Sequence, residues 1–199
     1  VWGSYWDPLL AQDASGKPGA IKQGMRESLL QRFSSPKGDA PLTLVVNHLK
    51  SKGSACFEDY PDYASADPLD GQGHCNALRV SAAKVLGESL KDMSGDLLII
   101  GDLNAYGMED PIRVLTSYDP AAQPRQIMSA SFTTLAGQPF EESGSALGKS
   151  YGLVNLNTRF HGTDTYSYSY EGELGNLDHA LANPSLAAKV IGIEDWHIN

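Results

Sequence analysis

Three short segments carry side chains suited to phosphate or metal chemistry. In Asp102-Leu103-Asn104 the outer two residues are separated by two. In extended chain, residues i and i+2 point the same way, so the carboxylate and the carboxamide can face one point. That pair suits a hard cation, or a phosphate and its attacking water. The same tripeptide also reads as an Asx-rich turn after a strand. His48 precedes Lys50 and Lys52 on a basic turn. An imidazole there can bind or protonate a phosphate oxygen, or it can simply end a strand. Asp178 precedes His179. Its carboxylate could orient a catalytic imidazole, or belong to an ordinary hairpin. Neighbouring strand residues point to opposite faces, so Asp178 and His179 are not expected to share a site.

Two weaker features remain. Asp67-Pro68-Leu69-Asp70-Gly71 could hold Ca2+, but it lacks the full EF-hand pattern and also reads as a solvated acidic loop. Trp2, Tyr5 and Trp6 could stack on bases; as packing residues they need no such role.

The elements that position these residues follow from hydrophobic patterning. Leu42 to His48 forms a short apolar run after Pro41 and is predicted to be a buried strand. It delivers Asn47 and His48 at its end. Met25 to Phe33 fits a short helix or a strand. Asn76 can cap a helix running to about Lys91. Leu78, Ala82, Val85, Leu86 and Leu90 line one face of it. Asp96 to Gly101 predicts a second buried strand, ending in the Asp102 tripeptide. Pro111 suits the first position of a short helix. Tyr166 to Tyr170 alternates Tyr and Ser, a strand period with one aromatic face. Leu177 to Leu181 is a further short strand. Residues 57–73 and 117–150 are expected to be mostly loops. Polar residues are thus expected at the C-terminal ends of three strands, where a rigid sheet commonly presents catalytic groups.

The chain has 199 residues, 41% hydrophobic and 20% charged, which fits one ordinary globular domain. No stretch reaches the ~20 apolar residues of a membrane span. Val1 to Pro8 has neither a basic nor an apolar signal region, so a secretion signal would have lain upstream. The net charge of −9 argues against a module that coats DNA through charge alone. It argues less against a nuclease, because bound metal ions supply local positive charge. Cys56 and Cys75 flank a polar, loop-like segment. A disulfide between them would contribute ~3 kcal/mol and imply an oxidising compartment; two unrelated thiols are the alternative. No CxxC or HxxxH spacing accompanies them, so metal binding by the pair is not expected.

Taken in order, Val45–Gly53 (VVNHLKSKG), Ile100–Tyr106 (IGDLNAY) and Tyr166–Leu181 (YSYSYEGELGNLDHAL) resemble the endonuclease/exonuclease/phosphatase superfamily. The cysteine contexts KGSAC and GQGHCN fit the same pattern. The subgroup most resembled is the bacterial extracellular nucleases of the ExeM type. The resemblance runs from about Arg26 to Asn199. GDLN alone is a weak signal; the ordered set is a strong one. It implies an α+β fold, a four-layer sandwich of two mostly antiparallel sheets with outer helices. It implies that His48 contacts the scissile phosphate, that Asp102 orients the attacking water, and that Asn104 binds phosphate and supports the metal. It also implies that Asp178 pairs with a catalytic histidine. Asn47, Lys50 and, less securely, Arg26 would contact substrate. Asp102 and Asn104 would bind Mg2+, with Mn2+ or Ca2+ as alternatives.

Two family motifs have no match in these residues: an upstream strand with a metal-binding glutamate in a QE context, and a terminal Ser-Asp-His. Glu27 and Asp195-Trp196-His197 do not fit those contexts. The chain is therefore expected to carry part of a catalytic domain, to show little or no activity by itself, and to dimerise or exchange strands through unpaired edges. The expected activity is metal-dependent hydrolysis of extracellular DNA or RNA by a secreted protein. A phosphatase or sphingomyelinase-like activity, and a non-catalytic extracellular binding module, are the alternatives.

Overall fold

The structure is a computed structural model. It describes residues 2–5, 10–12, 23–53, 71–123, 125–136 and 138–196, with side chains from residue 24 onward. The acidic Asp67–Asp70 segment and Cys56 lie outside the described residues, as do the side chains of Trp2, Tyr5 and Trp6.

The fold is α+β. Its strands are β1 (Trp2–Tyr5), β2 (Leu10–Gln12), β3 (Gln23–Gly24), β4 (Ser28–Phe33), β5 (Leu42–His48), β6 (Asp96–Asp102), β7 (Thr133–Leu135), β8 (Gln138–Glu141), β9 (Val154–Asn155), β10 (Tyr168–Tyr170), β11 (Glu173–Gly175) and β12 (Asp178–Ala182). Its α-helices are α1 (Asn76–Leu90), α2 (Asp110–Thr116), α3 (Leu156–His161) and α4 (Pro184–Ala187). A six-stranded sheet in the order β1-β4-β5-β6-β12-β9 organises the molecule. A four-stranded sheet, β3-β2-β7-β8, and the β10-β11 hairpin accompany it.

At the centre of the large sheet, β5 and β6 run parallel, as a helical crossover through α1 requires. β12 returns antiparallel to β6. Asp178 therefore lies at the start of its strand, beside the end of β6, and not at a C-terminal strand end as the patterning suggested. The stretch Met25–Phe33, open between helix and strand, is a strand from Ser28.

Alternation decides which side chains face which layer. Thr43, Val45 and Asn47 of β5 turn inward, with Leu30, Leu97, Ile99 and Leu181 on the same side. That face packs under α1 and α2 through Leu78, Val85, Leu86, Ile112 and Leu115. The predicted apolar stripe of α1 is buried throughout, and Arg79 and Ser81 are buried with it. The opposite sheet face carries Leu42, Leu44, Val46 and His48, so β5 is buried on one face only. Near β12, α3 and α4 cover this face, with Leu156 and Ala187 packed on Leu98, Ala180 and Ala182. Towards β4 it remains open at Leu29, Phe33 and Val46.

α1 begins one residue earlier than the capping expectation. Cys75 holds the N-cap position in left-handed backbone, φ 63°, and Asn76 is the first helical residue. Asn76 Nδ2 instead donates to Asp110 Oδ2 at 3.0 Å, tying α1 to α2. Pro111 sits in the first turn of α2 as expected. The weakly patterned 117–150 stretch holds the β7-β8 pair, whose strands are too short for alternation to reveal.

Gly101 marks the closest approach in the sheet. Its φ is +126°, and a Cβ there would lie 2.0 Å from the Asn47 carbonyl oxygen. Gly101→Ala should therefore push β5 from β6 beside the site. The expected cost is about 3 kcal/mol, combining overpacking with backbone strain. A urea midpoint unchanged from wild type would contradict it.

Candidate active site at one end of the large sheet

His48, Asp102 and Asp178 stand abreast. The register pairs His48 with Asp102 and Asp102 with Asp178. Paired residues of neighbouring strands share a face, so three side chains distant in sequence project side by side. His48 Nε2 lies 3.5 Å from Asp102 Oδ2, and both side chains remain partly open to solvent.

The turn after β6 is built by its own sequence. Asn104 N–H donates to Asp102 Oδ1 at 2.8 Å. Asn104 takes φ 47°, a conformation its short polar side chain tolerates better than most residues do. Leu103 is fully buried, and its N–H donates to Leu177 O at 2.9 Å. Asn104 Nδ2 donates to Leu49 O at 3.1 Å, and Arg26 Nη1 donates to the same carbonyl at 3.1 Å. Leu49 N–H in turn donates to Asp102 O at 2.9 Å. Arg26 and Asn104 thus meet at the Leu49 carbonyl, and the Leu49 N–H ties the same residue to Asp102.

Asn47 is not brought to this group. It pairs with Gly101, one position out of phase with His48, so alternation turns it to the inner face. There it is buried; Ser28 Oγ donates to its Oδ1 and its Nδ2 donates to Val45 O. Its expected substrate contact is replaced by a packing role. Lys50 is also buried, with its N–H on Met25 Sδ and its ammonium 3.4 Å from Ser51 O.

His179, on the inner face as alternation predicted, buttresses the site from behind. It is buried, with Nε2 bonded to Ala105 O at 2.8 Å and Nδ1 3.2 Å from Asn155 Nδ2. These partners fit a neutral ring, with Nε2–H donating to the carbonyl and Nδ1 accepting from the amide. Burial pushes its pKa below the ordinary 6.5, against the weaker upward pull of the Ala105 bond and of Asp178. The unfolded chain therefore takes up this proton first as pH falls. The stability contributed by neutral His179 is complete above pH 6.5 and is lost as pH falls from there towards the depressed folded value. His179→Gln should flatten the fall in melting temperature between about pH 7 and 5. A wild-type slope retained in the variant would refute this.

Beside the site, Glu109 accepts from Tyr106 N–H at 3.1 Å and pairs with Lys52. Burial raises the Glu109 pKa, opposed by the hydrogen bond from Lys52. Lys52 Nζ also lies 4.1 Å from the centre of the Tyr106 ring. Behind them the fully buried Arg79 donates to Lys50 O, His74 O and Gln72 O at 3.1, 2.6 and 2.9 Å. Motif and spacing did not single out Arg79 or Glu109. The signal for Arg79 was a charged residue between Leu78 and Val80 on the apolar side of α1.

Asp102 and Asn104 form an all-oxygen donor pair. With Nδ2 bonded to Leu49, the Asn104 carboxamide oxygen is the atom that could meet a cation. One carboxylate plus one amide oxygen suits Mg2+, which keeps several waters and is commonly held by one or two carboxylates and a substrate phosphate. Among the described residues no group of three His, Cys, Asp or Glu forms a closed metal cage.

Comparison with known proteins returns no matching family model and no matching curated protein.

Proposed function

We propose that this chain belongs to a metal-dependent phosphodiesterase, an extracellular nuclease of the endonuclease/exonuclease/phosphatase type acting on DNA or RNA. The observation that supports it most is the alignment of His48, Asp102 and Asp178 on one face at one sheet end, with Asn104 held in the adjoining turn. This is the order and grouping that the sequence resemblance implies. On this reading the open sheet face at Leu29, Phe33 and Val46 belongs against a second sheet, completing a four-layer sandwich. Cys75 pairs with Cys56, which suits a secreted protein.

A bound divalent cation, Mg2+ or alternatively Mn2+ or Ca2+, supplies charge stabilisation at the phosphate and leaving oxygen. The chain's own residues do the rest. Asp102 orients a water for in-line attack and can receive its proton. His48 holds a phosphate oxygen. The Asn104 oxygen, fixed by its bond to Leu49, contributes to the cation site. Arg26 lies at the edge, beside Leu49 O, where it can meet a neighbouring phosphate. Asp178 orients a histidine outside the groups described. The QE and Ser-Asp-His motifs have no match here, so these 199 residues are proposed to bind metal and phosphate more readily than they turn over.

The test is a substrate panel with Mg2+ and with EDTA: plasmid DNA, RNA, a phosphomonoester and sphingomyelin. Metal-dependent scission of nucleic acid, lost in EDTA, supports the nuclease reading. Turnover confined to the phosphomonoester or to sphingomyelin replaces it with a phosphatase or phospholipase. DNA binding indifferent to metal, with no turnover, replaces it with a binding module.

A further inference from the structure

The β10-β11 hairpin carries an aromatic face that the proposed chemistry does not use. Tyr168 pairs with Gly175 and Tyr170 with Glu173, so these four residues share one side of the hairpin. The two tyrosines are 45% and 59% exposed. Gly175 opens a slot on the same side. A Cβ at Gly175 would stand 2.6 Å from the Tyr106 ring, so glycine is what lets that ring lie against the hairpin. Tyr106, Tyr168 and Tyr170 thereby form one aromatic surface.

That surface adjoins the proposed site. Tyr106 follows the Asp102–Asn104 turn by two residues. Leu177 N–H and Asp178 N–H both donate to Ser167 Oγ at 3.1 Å, and Leu103 N–H donates to Leu177 O. The hairpin is therefore fastened to the strand ends bearing Asp102 and Asp178. Glu173 on this side and Glu171 in the turn make the hairpin acidic, which disfavours phosphates there. Ring faces are what the hairpin offers, and a nucleobase presents a ring face when it is unpaired.

We propose that Tyr106, Tyr168 and Tyr170 form a stacking platform for unpaired nucleobases next to the scissile phosphate, giving the protein a preference for single-stranded nucleic acid. This rests on the nuclease reading and adds the form of the substrate to it. A polyphosphate has no planar face to use such a platform.

The test is fluorescence anisotropy of a labelled ten-nucleotide oligothymidine and of a matched duplex, both with phosphorothioate linkages to suppress cleavage and with Mg2+ present. Tyr168→Ala/Tyr170→Ala should weaken single-strand binding by about tenfold or more, from typical stacking contributions, and duplex binding by less. Tyr168→Phe/Tyr170→Phe should bind within about twofold of wild type, because stacking needs the ring and not the hydroxyl. Circular dichroism melting checks that both variants fold. Equal binding by the alanine variant overturns the platform while leaving the nuclease reading in place. Equal loss in both variants overturns stacking in favour of hydroxyl hydrogen bonds. Should sedimentation show that the alanine change dissolves a dimer without altering oligonucleotide binding, the face is an interface between copies and the platform fails. A wild-type chain that binds neither oligonucleotide sinks the platform, and cleavage of the substrate panel then decides the nuclease reading separately.

Discussion

Under the proposed mechanism, Asp102→Ala is expected to lower metal-dependent phosphodiester cleavage by about 10³-fold or more, because it would remove the water-orienting carboxylate and a cation ligand together. Asp102 sits at the centre of the aligned triplet, between His48 and Asp178 in the register. Its two oxygens have different duties. Oδ1 accepts from Asn104 N–H and shapes the turn, while Oδ2 faces His48. Asp102→Asn separates these duties. It keeps an oxygen for the turn and removes the negative charge, so the fold should melt near the wild-type temperature while cleavage stays lost. Cleavage within about tenfold of wild type in both variants, a loss too small for a group acting in the transition state, would remove Asp102 from the mechanism. Loss of activity in Asp102→Ala alone would reduce it to a turn-forming residue.

Arg79→Ala is expected to destabilise the protein by on the order of 5 kcal/mol, the range for stranding several buried acceptors and opening a cavity. Arg79 is fully buried and binds the carbonyls of Lys50, Gln72 and His74. It joins the turn after β5, the chain entering α1, and α1 itself. Its charge also lowers the Glu109 pKa, though less than burial raises it. Arg79→Met keeps most of the volume and discards the hydrogen bonds, so it should recover the cavity part of the loss and no more. Urea unfolding of both variants measures this. A loss below about 1 kcal/mol in Arg79→Ala, comparable to a single net hydrogen bond, would mean that the three carbonyls find other partners.

Much of the framework was legible in the residues. The apolar run Leu42–Val46, the run Leu97–Ile100 and the stripe on α1 are local patterns, and each became the element expected. Alternation within the chain also separated Asp178 from His179 correctly. The same rule applied to Asn47 and His48, but β5 looked continuously apolar and so gave no cue that one face would stay open. The β7-β8 pair and the antiparallel return of β12 depend on partners far along the chain, which short strands do not announce.

The residue types and spacings by themselves determined that the chain holds an Asp-x-Asn turn, a strand-ending histidine and a further aspartate. Only the tertiary structure decided that these meet. Strand register is a long-range property, set by which hydrogen-bonded edges pair, and a shift of one residue would send His48 or Asp178 to the opposite face. Register placed His48, Asp102 and Asp178 on one face and sent Asn47 and His179 to the other. It also brought the aromatic hairpin against Tyr106 at their side.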